Sequence, residues 1–140
     1  MKQVAQYKKP CIFIADDDDD DVYFVRTALR ELNSDIRLRH FANGRQLLKG
    51  LDIAPEEYPN LILLDLNMPI LDGRETLKQI RKNVGNAIPV VVLSTSNHAH
   101  EKELCFEYGA NSYFTKPCNY PQYLEIIKQL KAEWIDKVLV

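Results

Sequence analysis

Asn60-Leu61-Ile62-Leu63-Leu64-Asp65-Leu66-Asn67-Met68-Pro69 decides how this chain folds. Four apolar residues run without a break into an aspartate, and a turn follows. A stretch that is apolar at every position, rather than at every second one, suits a strand buried on both faces, as in a parallel sheet. Two other stretches repeat the pattern, Cys11-Ile12-Phe13-Ile14-Ala15 and Val90-Val91-Val92-Leu93. Two weaker segments complete the set. Residues 36–41 alternate, with Arg37 and Arg39 on one side, and read as an edge or half-exposed strand. Residues 112–115 are short, but Gly109 precedes them and Pro117 follows.

Helical patterns separate these strands. Val22, Val25, Leu29 and Leu32 share one helical face, and the acidic residues before them favour a helix N-terminus. Asn43 is placed to cap a short helix reaching about Leu48, ahead of Gly50. Leu77, Ile80 and Val84 mark a third helix that ends near Gly85. Glu101, Leu104, Cys105 and Tyr108 mark a fourth, closed by Gly109. Tyr123, Ile127, Leu130 and Trp134 mark the last, with Pro121 in its first turn. Strand and helix alternate five times, which predicts an α/β fold. The matching architecture is the flavodoxin-like (βα)5 fold, a doubly wound five-stranded parallel sheet of order 2-1-3-4-5 with right-handed crossovers. The stretch 52–60, with Pro55 and Pro59, reads as a loop.

A chain of 140 residues suits one domain spanning 1–140, with a core at about 10–135 and no effector domain of its own. With 46% hydrophobic and 27% charged residues it has the balance of an ordinary globular protein, so it needs no disulfide or structural metal to fold. A net charge of -2, with no basic run beyond Lys8-Lys9, excludes general nucleic-acid binding, which needs clustered cations. Cys11, Cys105 and Cys118 have neither disulfide nor zinc spacing and read as free thiols in a reducing compartment. The N-terminal residues lack the apolar stretch of a signal peptide. No apolar run approaches the roughly 18–20 residues needed to cross a bilayer. A cytoplasmic location is expected.

In this architecture ligands bind at the carboxyl ends of the strands, near the switch point between strands 1 and 3. Asp16 and Asp17 follow strand 1, and Asp65 ends strand 3. Ser94, Thr95 and Ser96 follow strand 4, and Lys116 follows strand 5. Three carboxylates would therefore meet a hydroxyl and an ammonium at one edge of the sheet. Crowded carboxylates raise one another's pKa values unless a cation joins them. An all-oxygen set of this kind suits Mg²⁺, which takes one or two carboxylates plus a phosphate oxygen. The six aspartates at 16–21 would ordinarily be a solvated or capping run, and for those at 18–21 that plain reading stands, one of them capping the helix. His40, His98 and His100 read as structural or surface residues, and Tyr120, Tyr123 and Trp134 as packing.

The segments IADDDDDD, NLILLDLNMPILDG, IPVVVLSTS and GANSYFTKP, in that order and across nearly the whole chain, resemble the signature segments of response-regulator receiver domains. DLNMP followed by LDG, with KP about fifty residues later, is a highly specific combination. The resemblance implies that Asp16 and Asp17 bind Mg²⁺, that Asp65 is the phosphoacceptor, and that Asn67 lends the metal a backbone carbonyl. It further implies that Ser94 and Lys116 contact the phosphoryl group, that Tyr113 is the aromatic switch residue, and that the Lys116–Pro117 bond is cis. A trans bond would be the default on the residues alone. Pro69 is expected to shape the turn after Asp65, and Gly73 to mark a place where the backbone needs freedom. The small Thr95 would leave the site open to water.

The function so implied is a phosphorylation switch of a two-component system, not an enzyme. A sensor histidine kinase or phosphotransfer protein would load Asp65, and the surface of helix 4, strand 5 and helix 5 would then change for a downstream protein target. That surface and the apolar tail at 134–140 also allow a homodimer; neither nucleic acid nor membrane is expected as a partner. The acidic run after strand 1 and the Asn43-Gly44-Arg45-Gln46 loop resemble stand-alone, chemotaxis-regulator-like proteins of the kind paired with phytochrome-like histidine kinases. One alternative is a degenerate receiver serving as a constitutive interaction module, against which the complete residue set argues. A phosphohydrolase with an aspartyl-phosphate intermediate would need a second Asp where Asn67 stands.

Overall fold

The three continuous apolar runs form the three central strands of the sheet. In the structure, a computed structural model describing residues 9–32 and 35–136, the strands are β1 (Cys11–Ala15), β2 (Arg37–Phe41), β3 (Leu61–Asp65), β4 (Val90–Ser94) and β5 (Ser112–Thr115). Their order is β2-β1-β3-β4-β5 and every pairing is parallel. The predicted fold class holds. All residues of β1, β3 and β4 are buried, whereas the edge strands β2 and β5 are partly exposed. On β2 the Arg39 guanidinium lies 5.1 Å from the ring centroids of both Phe13 and Phe41, covering the open edge with a cation.

Side chains alternate across the sheet and so serve two cores. Ile12, Ile14, Leu61, Leu63, Val91 and Leu93 face α1 (Asp19–Glu31) and α5 (Tyr120–Leu130), meeting Val22, Val25, Leu29, Tyr123, Ile127 and Leu130. Phe13, Ala15, Ile62, Leu64, Val90 and Val92 face α2 (Gly44–Gly50), α3 (Gly73–Val84) and α4 (Ala99–Glu107), meeting Leu47, Leu77, Ile80 and Cys105. Caps set the helix starts. Asp18, Asn43, Asp72 and Asn119 each accept a backbone N–H of the first turn. At the other end, Gly85 has φ 65° after α3 and Gly109 has φ 106° after α4.

Four local expectations change. Gly50 ends α2 from within rather than following it, and residues 55–57 of the expected loop form a turn of 3-10 helix. The Lys116–Pro117 bond is trans, since no cis peptide occurs among the described residues; the ordinary trans preference applies there. Gly73 does not need unusual dihedrals. It needs to be small, because a Cβ would stand 2.3 Å from the Asp65 carbonyl oxygen and 2.5 Å from Leu66 Cα. Left-handed backbone lies instead at Ile70, with φ 70°, inside a three-residue turn closed by the Leu71 N–H donating to the Pro69 carbonyl at 2.7 Å. The last helix runs on into a π-helical turn at Lys131–Ile135 that carries Trp134. Lys8 of the basic pair and residues 137–140 of the apolar tail lie outside the described residues.

Candidate functional site

Parallel pairing aligns the carboxyl ends of β1, β3, β4 and β5, so the residues that follow them meet without any long-range design in the loops. Asp65 pairs with Leu93 at the end of β3, and Ser94 pairs with Thr115, one residue before Lys116. Asp16 is 2% exposed and Asp65 4%, while Asp17 faces solvent. One carboxylate oxygen from each of Asp16, Asp17 and Asp65 lies within 4.8 Å of the others. The Lys116 side chain, 8% exposed, brings its Nζ to 3.0 Å from Asp16 Oδ2 and 3.5 Å from Asp65 Oδ2.

Backbone donors orient the two buried carboxylates. The Asp18 N–H donates to Asp16 Oδ1 at 2.9 Å, and the Asn67 N–H donates to Asp65 Oδ1 at 3.3 Å. These bonds do not compensate fully for lost water. Burial pushes the Asp16 carboxyl up from 3.8 to about 7, against the Asp18 N–H and the Lys116 charge, both of which lower it. Burial likewise raises Asp65, with Lys116 the main opposing influence. For Lys116 burial acts to lower the pKa, but the hydrogen bond to Asp21 and the charges of Asp16 and Asp65 outweigh it, and the ammonium is held charged. Hard oxygen donors with excess negative charge fit a small divalent cation. Asp16, Asp17 and Asp65 are the side chains that could hold one.

Ser94 is fully buried, and its Oγ accepts the Ser96 N–H at 3.2 Å, while Thr95 is exposed beside it. Tyr113 does not point to open solvent. Its hydroxyl donates to the Ser96 carbonyl at 2.7 Å and approaches Glu101 Oε1 at 3.3 Å, and Glu101 in turn binds Arg74 of α3 at 2.6 Å. The loop that carries Ser94 is thus tied to α4, and α4 to α3. His40 has the structural role expected, with Nε2 2.7 Å from the Asp16 carbonyl oxygen.

Two site residues escape a reading of the sequence. Asp21, assigned there to a solvated run, accepts from Lys116 Nζ at 2.6 Å and from the Tyr123 hydroxyl at 2.6 Å. Tyr123, assigned to packing, is buried and yet reaches the ionic network. The helical period was the available signal, because Asp21 and Val25 are four residues apart and share the face of α1 that meets α5. Of the acidic run, Asp18 is the expected cap.

Comparisons with known proteins agree with this geometry. The family model for the response regulator receiver domain matches residues 12–135. Response regulator Rcp1 from Synechocystis sp. is 41% identical over 81 residues, which is 57% of this chain and 55% of that protein, so the alignment spans about half the length of that relative. Among solved structures, the Mn²⁺-bound form of response regulator Rcp1 superposes with a TM-score of 0.80 at 32% identity, covering 92% of this chain and 96% of the other. The phosphorylated cyanobacterial phytochrome response regulator RcpA gives 0.83 at 31% identity, covering 93% and 96%.

Proposed function

We propose a function on one premise: the chain belongs to the response regulator receiver domain family, the signalling switches of two-component systems. Asp65 is the phosphoacceptor and takes its phosphoryl group from a phosphohistidine of a sensor kinase or phosphotransfer protein. A carboxylate oxygen of Asp65 forms the new P–O bond, the P–N bond of the donor breaks, and the imidazole leaves with the electron pair. Mg²⁺ bound by Asp16, Asp17, Asp65 and the backbone carbonyl of Asn67 would neutralise charge on the phosphoryl oxygens. Lys116 favours the ionised form of Asp65 against the effect of burial and supplies a second positive charge. Ser94, buried beside it, donates to a phosphoryl oxygen.

The observation that supports this reading best is the convergence of one buried ammonium on Asp16 and Asp65 at 3.0 and 3.5 Å, beside an exposed third carboxylate. The charge added at Asp65 draws Ser94 toward it, and Tyr113 follows the Ser94 loop, altering the surface of α4, β5 and α5 for a downstream partner or a second copy. The likeness to the phytochrome response regulator RcpA supports a phytochrome-like histidine kinase as the donor. No helix among the described residues is long and apolar enough to cross a membrane, in keeping with a cytoplasmic switch. The test is labelling by acetyl phosphate, with and without Mg²⁺. Label should need Mg²⁺ and vanish in Asp65→Asn; equal labelling of that variant refutes the proposal.

A further inference from the structure

The three contacts of the Lys116 ammonium are unequal, and the shortest is the one the family resemblance does not name. Lysine has three N–H donors. Here three carboxylates surround the ammonium, Asp21 as a hydrogen bond at 2.6 Å and Asp16 and Asp65 as ion pairs at 3.0 Å and 3.5 Å. Asp16 and Asp65 are also members of the set of converging oxygens that suits a cation, and Asp21 is not. Asp21 is itself held from the far side. Its Oδ1 accepts the Tyr123 hydroxyl at 2.6 Å, and the Tyr123 ring is buried between α1 and α5 with its centroid 5.3 Å from that of Phe24.

An ammonium and a metal ion compete for the negative charge of the Asp16 and Asp65 carboxylates. Whatever holds the ammonium elsewhere therefore favours the metal, and the acceptor that can do so without leaving the pocket is Asp21. We propose that Asp21 is a positioning residue which, gripped by Tyr123 of α5, anchors Lys116 at the rim of the pocket so that its remaining N–H groups face the phosphoryl position while Asp16 and Asp65 serve the metal. The inference rests on the reading of Asp65 as phosphoacceptor. It adds a link from the site to the α1–α5 seam, on the sheet face opposite to Tyr113.

Without Asp21 the ammonium settles against Asp16 and Asp65 and opposes metal binding. The test compares the full chain with Asp21→Asn, Tyr123→Phe and Asp20→Asn, the last removing the same charge from the same helical turn at an exposed position. Titration with Mg²⁺ alone should show binding weakened about tenfold in Asp21→Asn, about twofold in Asp20→Asn, and about threefold in Tyr123→Phe although no charge is lost. In the metal-free protein, lysine-selective NMR should show one ammonium with slowly exchanging protons, shifted in Asp21→Asn as the ammonium moves onto Asp16 and Asp65. Equal weakening by Asp21→Asn and Asp20→Asn, or an ammonium signal unshifted in Asp21→Asn, overturns the proposal. Should Asp21→Asn fail to fold, Tyr123→Phe decides: unchanged Mg²⁺ affinity overturns it. Beryllofluoride binding to the unaltered chain separates the two readings. If the unaltered chain does not bind it, the phosphoacceptor reading falls; if it binds and Asp21→Asn behaves as Asp20→Asn, only the positioning role does.

Discussion

Replacing Asp16 by asparagine should make the metal-free protein more stable, and the gain should grow with pH. The buried carboxyl titrates at about 7 in the folded chain against 3.8 when free. Between those values the folded protein holds a proton that the unfolded chain has released. Stability therefore falls as pH rises through this window and stays low above it. Each pH unit is worth about 1.4 kcal/mol, so ionised Asp16 costs the fold about 4 kcal/mol at pH 8 but only about 2 kcal/mol at pH 5. Asparagine keeps an oxygen for the Asp18 N–H, which donates to Oδ1 at 2.9 Å. It gives up the charged contact with Lys116 at 3.0 Å. Lys116, held above its ordinary pKa, stays charged across this range and adds no slope.

The attraction of Lys116 acts on the ionised carboxylate and is already contained in the value of about 7, so it needs no separate allowance when the two pH values are compared. Urea unfolding of both proteins at pH 5 and pH 8, without divalent metal, should give a stabilisation about 2–3 kcal/mol larger at pH 8. Mg²⁺ should then narrow the gap at pH 8 by stabilising the unaltered protein alone, since the variant has lost a buried oxygen ligand. A pH-independent difference, or a variant less stable at pH 8 than its parent, would refute the account of Asp16 as an undercompensated buried charge.

Three further outcomes are expected. Gly73→Ala puts a methyl group 2.3 Å from the Asp65 carbonyl oxygen, a backbone atom that cannot step aside; it should cost more than about 2 kcal/mol in thermal unfolding and lower phosphoryl labelling as the end of β3 shifts. Arg81 donates to the carbonyls of Gly85, Ile88 and Gly109 and to Asn111 Oδ1, between 2.8 and 3.0 Å. Arg81→Ala should therefore lose about 2–4 kcal/mol in urea unfolding, whereas Lys should recover little, having no fork to span these acceptors. Ile70 is 68% exposed at φ 70°. Ile70→Asn, which tolerates the left-handed region, should stabilise by about 1 kcal/mol, and an unchanged melting curve would count against strain there.

The sheet was legible because its signal is local and one-dimensional. Leu61 to Leu64 and Val90 to Leu93 announce burial on both faces by composition alone, and alternation with helices then leaves few topologies. Asp16, Asp65, Ser94 and Lys116 were legible for the same reason, as each ends or follows a strand and the ends of parallel strands meet. Asp21 and Arg81 were not. Asp21 sits in a run of six identical residues, where charge does not tell one member from another and only the four-residue step to Val25 points inward; its partners Lys116 and Tyr123 lie 95 and 102 residues away. Arg81 reads as an ordinary surface cation of α3 until the turn before β4 and the end of α4 are folded against it. Ile70 was missed through turn chemistry, because a β-branched residue is a poor marker for positive φ.

Two tyrosines relate the site to the two helical layers. Tyr113 stands on β5 and packs against the core shared with α2, α3 and α4, with its hydroxyl on the loop of Ser94 and near Glu101. Tyr123 stands on α5 within the opposite core, with its hydroxyl on Asp21 and, through Asp21, near Lys116. The sheet between them is rigidly packed and buried at β1, β3 and β4, so it transmits little by bending. What can move are the polar ends: a serine, an ammonium, and the hydroxyls that lean on their loops. A phosphoryl group at Asp65 would change the charge balance at a pocket where one ammonium already serves three carboxylates. On the proposed reading that imbalance is resolved by rearranging hydrogen bonds on both sides of the sheet, through Ser94 and Tyr113 on one face and through Lys116, Asp21 and Tyr123 on the other.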